Sequence, residues 1–99
     1  MYIITTSKAG AFQAIPGAGV TIVETWRYLF YGKERAVYAI CEIIDPEARI
    51  DIVDADDDRC VNSLPNKFFG AFDDIETARE EIRTLTNFSD LDARLERVE

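Results

Sequence analysis

The sequence predicts an α+β fold: an antiparallel sheet of four to five strands in the order ββββαβ, with one main helix packed on one face. Three observations predict it. Runs rich in Val, Ile, Thr and aromatic residues recur through the first 54 residues, the composition that suits strands. The turns between the second, third and fourth runs are short, which implies antiparallel neighbours. One amphipathic helical stripe follows, and a lone helix against a sheet defines the class. At 99 residues the chain reads as one domain spanning residues 1–99.

The first strand is Tyr2–Thr6, a short β-branched run. Residues 7–19 are rich in Gly and Ala and contain Pro16, so they read as a long loop. Val20–Tyr31 is the longest strand, the segment Gly32-Lys33-Glu34-Arg35 is a turn, and Ala36–Ile44 is the third strand. Asp45-Pro46-Glu47 breaks it, and Arg49–Val53 is the fourth, with Ile50 and Ile52 on one face. An acidic loop covers 54–59. Ser63 to Phe69 reads as one helical turn, capped by Ser63 and ended by Gly70.

The main helix starts after Asp73. That residue reads as the N-cap, and Glu76 three positions on completes a capping box. Ile75, Ala78, Ile82 and Leu85 recur at spacings of three and four, one apolar stripe. Asn87 suits the left-handed residue that ends a helix. In the tail Leu91–Val98, alternation of Ala93 and Leu95 with Arg94 and Glu96 favours a fifth strand over a short helix capped by Ser89 or Asp90.

Both long strands are apolar on both faces. In the second, Val20, Ile22, Trp26, Tyr28 and Phe30 share a face interrupted by Glu24. In the third, Val37, Ala39, Cys41 and Ile43 oppose Ala36, Tyr38, Ile40 and Ile44. A solvated antiparallel face would alternate polar and apolar residues, and one helix cannot cover two faces. The second face is therefore covered either by residues 7–19 with the segment 68–72, or by another chain. In the latter case Trp26, Arg27, Tyr28, Phe30 and Tyr38 supply the residue types that anchor interfaces.

Charge bounds the function. The chain has 19 acids, 11 bases and no His, a formal net charge of −8. Residues 1–40 hold four bases and two acids, a net of +2, and residues 41–99 hold the remaining −10. Direct nucleic-acid binding is disfavoured, because phosphate contacts need clustered Lys and Arg. Without His there is no imidazole metal site and no Ser-His or Cys-His couple. Cys41 and Cys60 are too few for a Cys₄ metal centre and follow no CxxC spacing. No cofactor is expected. The N-terminal residues lack the basic start and apolar run of a signal peptide, and no run reaches the ~18 apolar residues of a membrane span. Two unpaired cysteines then read as reduced thiols in a cytoplasmic protein, with no membrane contact.

A second candidate surface is the acidic edge formed by Glu47, Asp51, Asp54, Asp56, Asp57 and Asp58. Its alternating carboxylates resemble the start of a calcium loop, but Arg59 stands where such loops need Gly and Pro65 where they need Glu. A solvated turn is the plain reading, and no metal is expected. Gly17-Ala18-Gly19 precedes a strand, whereas phosphate loops follow one, so turn chemistry explains it better. Cys60 has Arg59 beside it but three aspartates just before, which oppose a lowered thiol pKa.

These readings combine into a small acidic accessory or binding protein that acts through protein–protein contact, with another protein or with itself as a dimer. The alternative is an inhibitor that mimics nucleic acid, whose carboxylates would occupy a basic partner's groove. A small His-free enzyme is the third reading, and no nucleophile–base–orienter set supports it.

Overall fold

Seven strands and one α-helix form among the described residues of the computed structural model, namely 1–57, 59–86 and 93–98. The strands are β1 (Tyr2–Ser7), β2 (Phe12–Pro16), β3 (Val20–Phe30), β4 (Lys33–Ile43), β5 (Arg49–Asp54), β6 (Val61–Pro65) and β7 (Ala93–Arg97). A 3₁₀ turn covers Asn66–Phe69 and helix α1 covers Ile75–Leu85. The α+β class stands, with antiparallel sheets and a helix packed on one of them. The expected single sheet is instead two, a four-stranded sheet ordered β1-β4-β3-β7 and a three-stranded sheet ordered β2-β5-β6.

The four-stranded sheet is the middle layer. Neighbouring residues on a strand point to opposite faces, and the two cores divide accordingly. Ile4 and Ile40 pack with Ala78 and Ile82 of α1. Ile3 and Cys41 pack with Ile50 of β5. The second apolar face is thus covered from within the chain, as one of the two expectations had it: residues 12–16 and Phe69 contribute, the former as part of a second sheet that also takes in β5 and β6. Phe69 packs on that side, whereas Phe72 packs on the helix side.

Several local expectations change. Residues 12–16 of the expected long loop form β2, where Phe12, Ala14 and Pro16 are half-buried and Gln13 and Ile15 exposed. Alternation is present there, but Gly and Ala on both sides disguise it. The turn after β3 is the two-residue Tyr31-Gly32, with φ of 51° and 77°, the type I′ signature that suits tight hairpins. Residues 61–65 are strand, so Ser63 caps nothing, and the 3₁₀ turn begins only after Pro65; Gly70 does end it, at φ 90°. The N-cap of α1 is Asp74 instead of Asp73: its carboxylate accepts from the Thr77 N–H at 2.7 Å and from the Thr77 hydroxyl at 2.8 Å. Of the apolar stripe, Ala78 and Ile82 are buried while Leu85 is exposed. The tail is a strand over Ala93–Arg97, paired with β3. Asp58, Asn87, Ser89, Asp90 and Leu91 lie outside the described residues.

One departure reorganises the aromatic strand. Ile22 pairs with Cys41 and Glu24 with Ile40, leaving Val23 as an extra residue in a β-bulge. A bulge shifts side-chain parity by one. Val20 and Ile22 therefore face the second sheet, and Glu24, Trp26 and Tyr28 face the helix. No helix among the described residues is long and apolar enough to cross a membrane.

Candidate functional site

The bulge turns a carboxylate into the helix–sheet core. Glu24 is only 2% exposed, and it stays charged because donors converge on it. Arg79 of α1 donates its Nε at 2.9 Å to Oε2 and at 3.1 Å to Oε1, and its Nη2 also bonds Oε2. The Trp26 indole N–H donates at 2.9 Å, and Arg97 of β7 lies 4.0 Å away. The Arg79 hydrogen bond holds the Glu24 carboxyl below its ordinary pKa, against the opposing effect of burial. This network joins β3, α1 and β7. Beside it lies a cleft of about 280 Å³ lined by Trp26, Arg79, Ile82, Arg83 and Leu95.

The aromatic residues singled out in the sequence do not form one exposed face. Trp26 and Tyr38 are half-buried against the helix-side core, and burial raises the Tyr38 hydroxyl pKa. Tyr28 follows on the same face. Phe30 meets Tyr31 edge-on at 4.7 Å, with the Arg35 guanidinium 5.8 Å from its ring centre. Arg27 projects from the opposite face and pairs with Glu96.

The acidic residues are better gathered. Ile50 and Ile52 point into the core, so Asp51 and Val53 point outward from the central strand of the three-stranded sheet. Cross-strand register sets Gln13, Val53 and Val61 in one row and Ile15, Asp51 and Ser63 in the next. Among the described residues nothing packs as a further layer over this outer face; Ile15 and Val61 are 44% and 47% exposed. Asp54, Asp56 and Asp57 ring the β5–β6 end of it. Glu47 precedes the opposite end of β5, about 20 Å away at a strand's rise per residue.

These carboxylates also have local duties. Asp54 accepts from the Asp56 N–H at 2.8 Å, and Asp57 accepts from the Arg59 N–H at 3.0 Å. Such turns fix the loop without a metal. Among the described residues no group of three or more Cys, Asp or Glu is placed to hold a metal ion. The Cys41 thiol is buried and pushed up to about 11 by that burial. It is therefore protonated at neutral pH, and Cys60 is an exposed free cysteine.

A third feature was invisible in the sequence. Ser7 pairs with Val37, Phe12 with Asp54, and the Ala55 N–H donates to the Ala11 carbonyl at 3.0 Å. Together these place the β1–β2 turn, the start of β4 and the end of β5 at one pole. They enclose a cleft of about 490 Å³. Its walls include Phe12, Ala36, Val37 and Val53, and Lys8, Glu34 and Asp54 bring charge to it. No family model matches the chain, and neither a curated protein nor a solved structure is significantly similar to it.

Proposed function

We propose that this chain is a small non-catalytic accessory protein that binds a protein partner through the outer face of its three-stranded sheet. The observation that carries the reading is the composition of that face. The pair Val53 and Val61 and, in the next row, Ile15 are covered by nothing among the described residues, and Asp51, Asp54, Asp56 and Asp57 border them. An apolar centre inside a charged rim is the anatomy of a protein interface, and the sign of the rim calls for a basic partner. The apolar row also favours a protein partner over the nucleic-acid-mimic role, which needs only carboxylates spaced like phosphates. The partner is a different protein rather than a second copy, because two such faces would oppose like charges. The free thiols support a reducing compartment, the cytoplasm.

The test is capture of the partner from the native cell by three tagged forms of the protein. Wild type retains a basic protein whose binding weakens as salt rises. Asp51→Asn/Asp56→Asn/Asp57→Asn loses the salt dependence and most of the binding, and Val61→Glu loses the binding while keeping the charge. Equal capture of the same protein by all three forms would refute the reading.

A further inference from the structure

We propose that the cleft at the hairpin pole is a binding site for a small zwitterion, an α-amino acid with an apolar side chain. This site adjoins the docking face at Asp54 and is lined chiefly by the β1–β2 turn and the start of β4. Its volume of about 490 Å³ lies within the roughly 300–1,000 Å³ typical of small-molecule sites. It is also concave, and it draws on four strands and a turn that the fold holds in fixed register.

The chemistry of the lining selects the ligand. Phe12 and Val37 offer an apolar wall, with Ala36 almost wholly buried beside it. Lys8 brings one positive charge from the β1–β2 turn; Glu34 and Asp54 bring two negative charges from β4 and β5. Lys8 has no ion-pair partner among the described residues, and Glu34 feels only the field of Arg27, without a close ion pair. A simple amine would leave Lys8 uncompensated, and a simple carboxylate would leave both acids so. A free α-amino acid carries an ammonium for Glu34 and Asp54, a carboxylate for Lys8, and a side chain for the apolar wall.

Calorimetric titration of the whole chain tests this with L-phenylalanine, L-leucine, glycine, 3-phenylpropanoate and 2-phenylethylamine. Phenylalanine and leucine bind. Each single-charge analogue binds roughly tenfold more weakly or worse, as expected for the loss of a charge-assisted contact. Glycine, lacking an apolar side chain, is also weaker. Lys8→Met brings phenylalanine down to the affinity of 2-phenylethylamine and leaves that amine unchanged. Glu34→Gln/Asp54→Asn brings phenylalanine down to the affinity of 3-phenylpropanoate. All three residues are exposed, so the variants keep the fold, and thermal unfolding verifies it. The proposal is overturned if neither amino acid binds at millimolar concentration, or if either single-charge analogue matches phenylalanine on the wild type. Val61→Glu, which abolishes partner capture, leaves amino-acid binding intact, so the two proposals fail separately.

Discussion

At the scale of single residues, Glu24 governs the most. A carboxylate 2% exposed is tolerated only because Arg79, Trp26 and Arg97 surround it. Removing the main donor leaves a buried charge without its partner. Arg79→Met should therefore destabilise the fold by about 3–5 kcal/mol, measured by urea denaturation. Glu24→Gln removes the charge together with the pair and should cost less. The pH dependence follows in sign. The folded-state pKa of Glu24 lies below its ordinary 4.5, so its contribution is complete above that value. It is lost as pH falls through the lowered folded pKa. Wild type should lose stability more steeply than Glu24→Gln as pH is taken from 5 toward 2, with a difference in slope that stays below one proton. Equal slopes would contradict the pairing. The residue was legible as an anomaly, an acid interrupting an apolar stripe. Its partner was not, because Arg79 lies 55 positions away on a helix face that looked merely solvated.

At the scale of elements, the sequence exposed the helix and the long strands, and it missed where parity breaks. Strict alternation put Val20, Ile22 and Trp26 on one face; the extra residue at Val23 sends them to two different cores. Nothing local marks Val23, since Val is at home in any strand, and only pairing with β4 reveals the bulge. The helix start shows a smaller error of the same kind. Asp73 and Asp74 both suit a cap, and only geometry chooses. Asp74→Ala should cost about 0.5–2 kcal/mol, whereas Asp73→Ala should be close to neutral, in thermal unfolding of the two variants. Gly19 provides a further check. It sits at φ 83°, and a Cβ there would lie 2.5 Å from the Asp45 Cβ. Gly32, at φ 77°, faces open space. Gly32→Ala should cost about 1–2 kcal/mol for its left-handed backbone, and Gly19→Ala distinctly more because the clash adds to it.

At the scale of the whole molecule, the −8 charge resolves into places. The sequence located an acidic edge between Glu47 and Asp58, and the fold sets Asp51, Asp54, Asp56 and Asp57 around a sheet face that nothing among the described residues covers. That sheet was only half legible, because β2 hides in a Gly- and Ala-rich stretch and β6 in an apparent helical turn. The hairpin-pole cleft was not legible at all. Its lining comes from residues 7–13, 34–37 and 53–55, which only the β1–β4 and β2–β5 registers bring together. Like-charged outer faces repel, so sedimentation at micromolar concentration and low salt should give a monomer. A dimer that persists there would point to a face other than the acidic one.

Amide hydrogen exchange with the captured partner bound reads the proposed docking face itself. Exchange should slow in β2, β5 and β6 and in the turn after β5, with α1 and β7 unchanged. Protection confined to α1 and β7, with the three-stranded sheet unaffected, would contradict it.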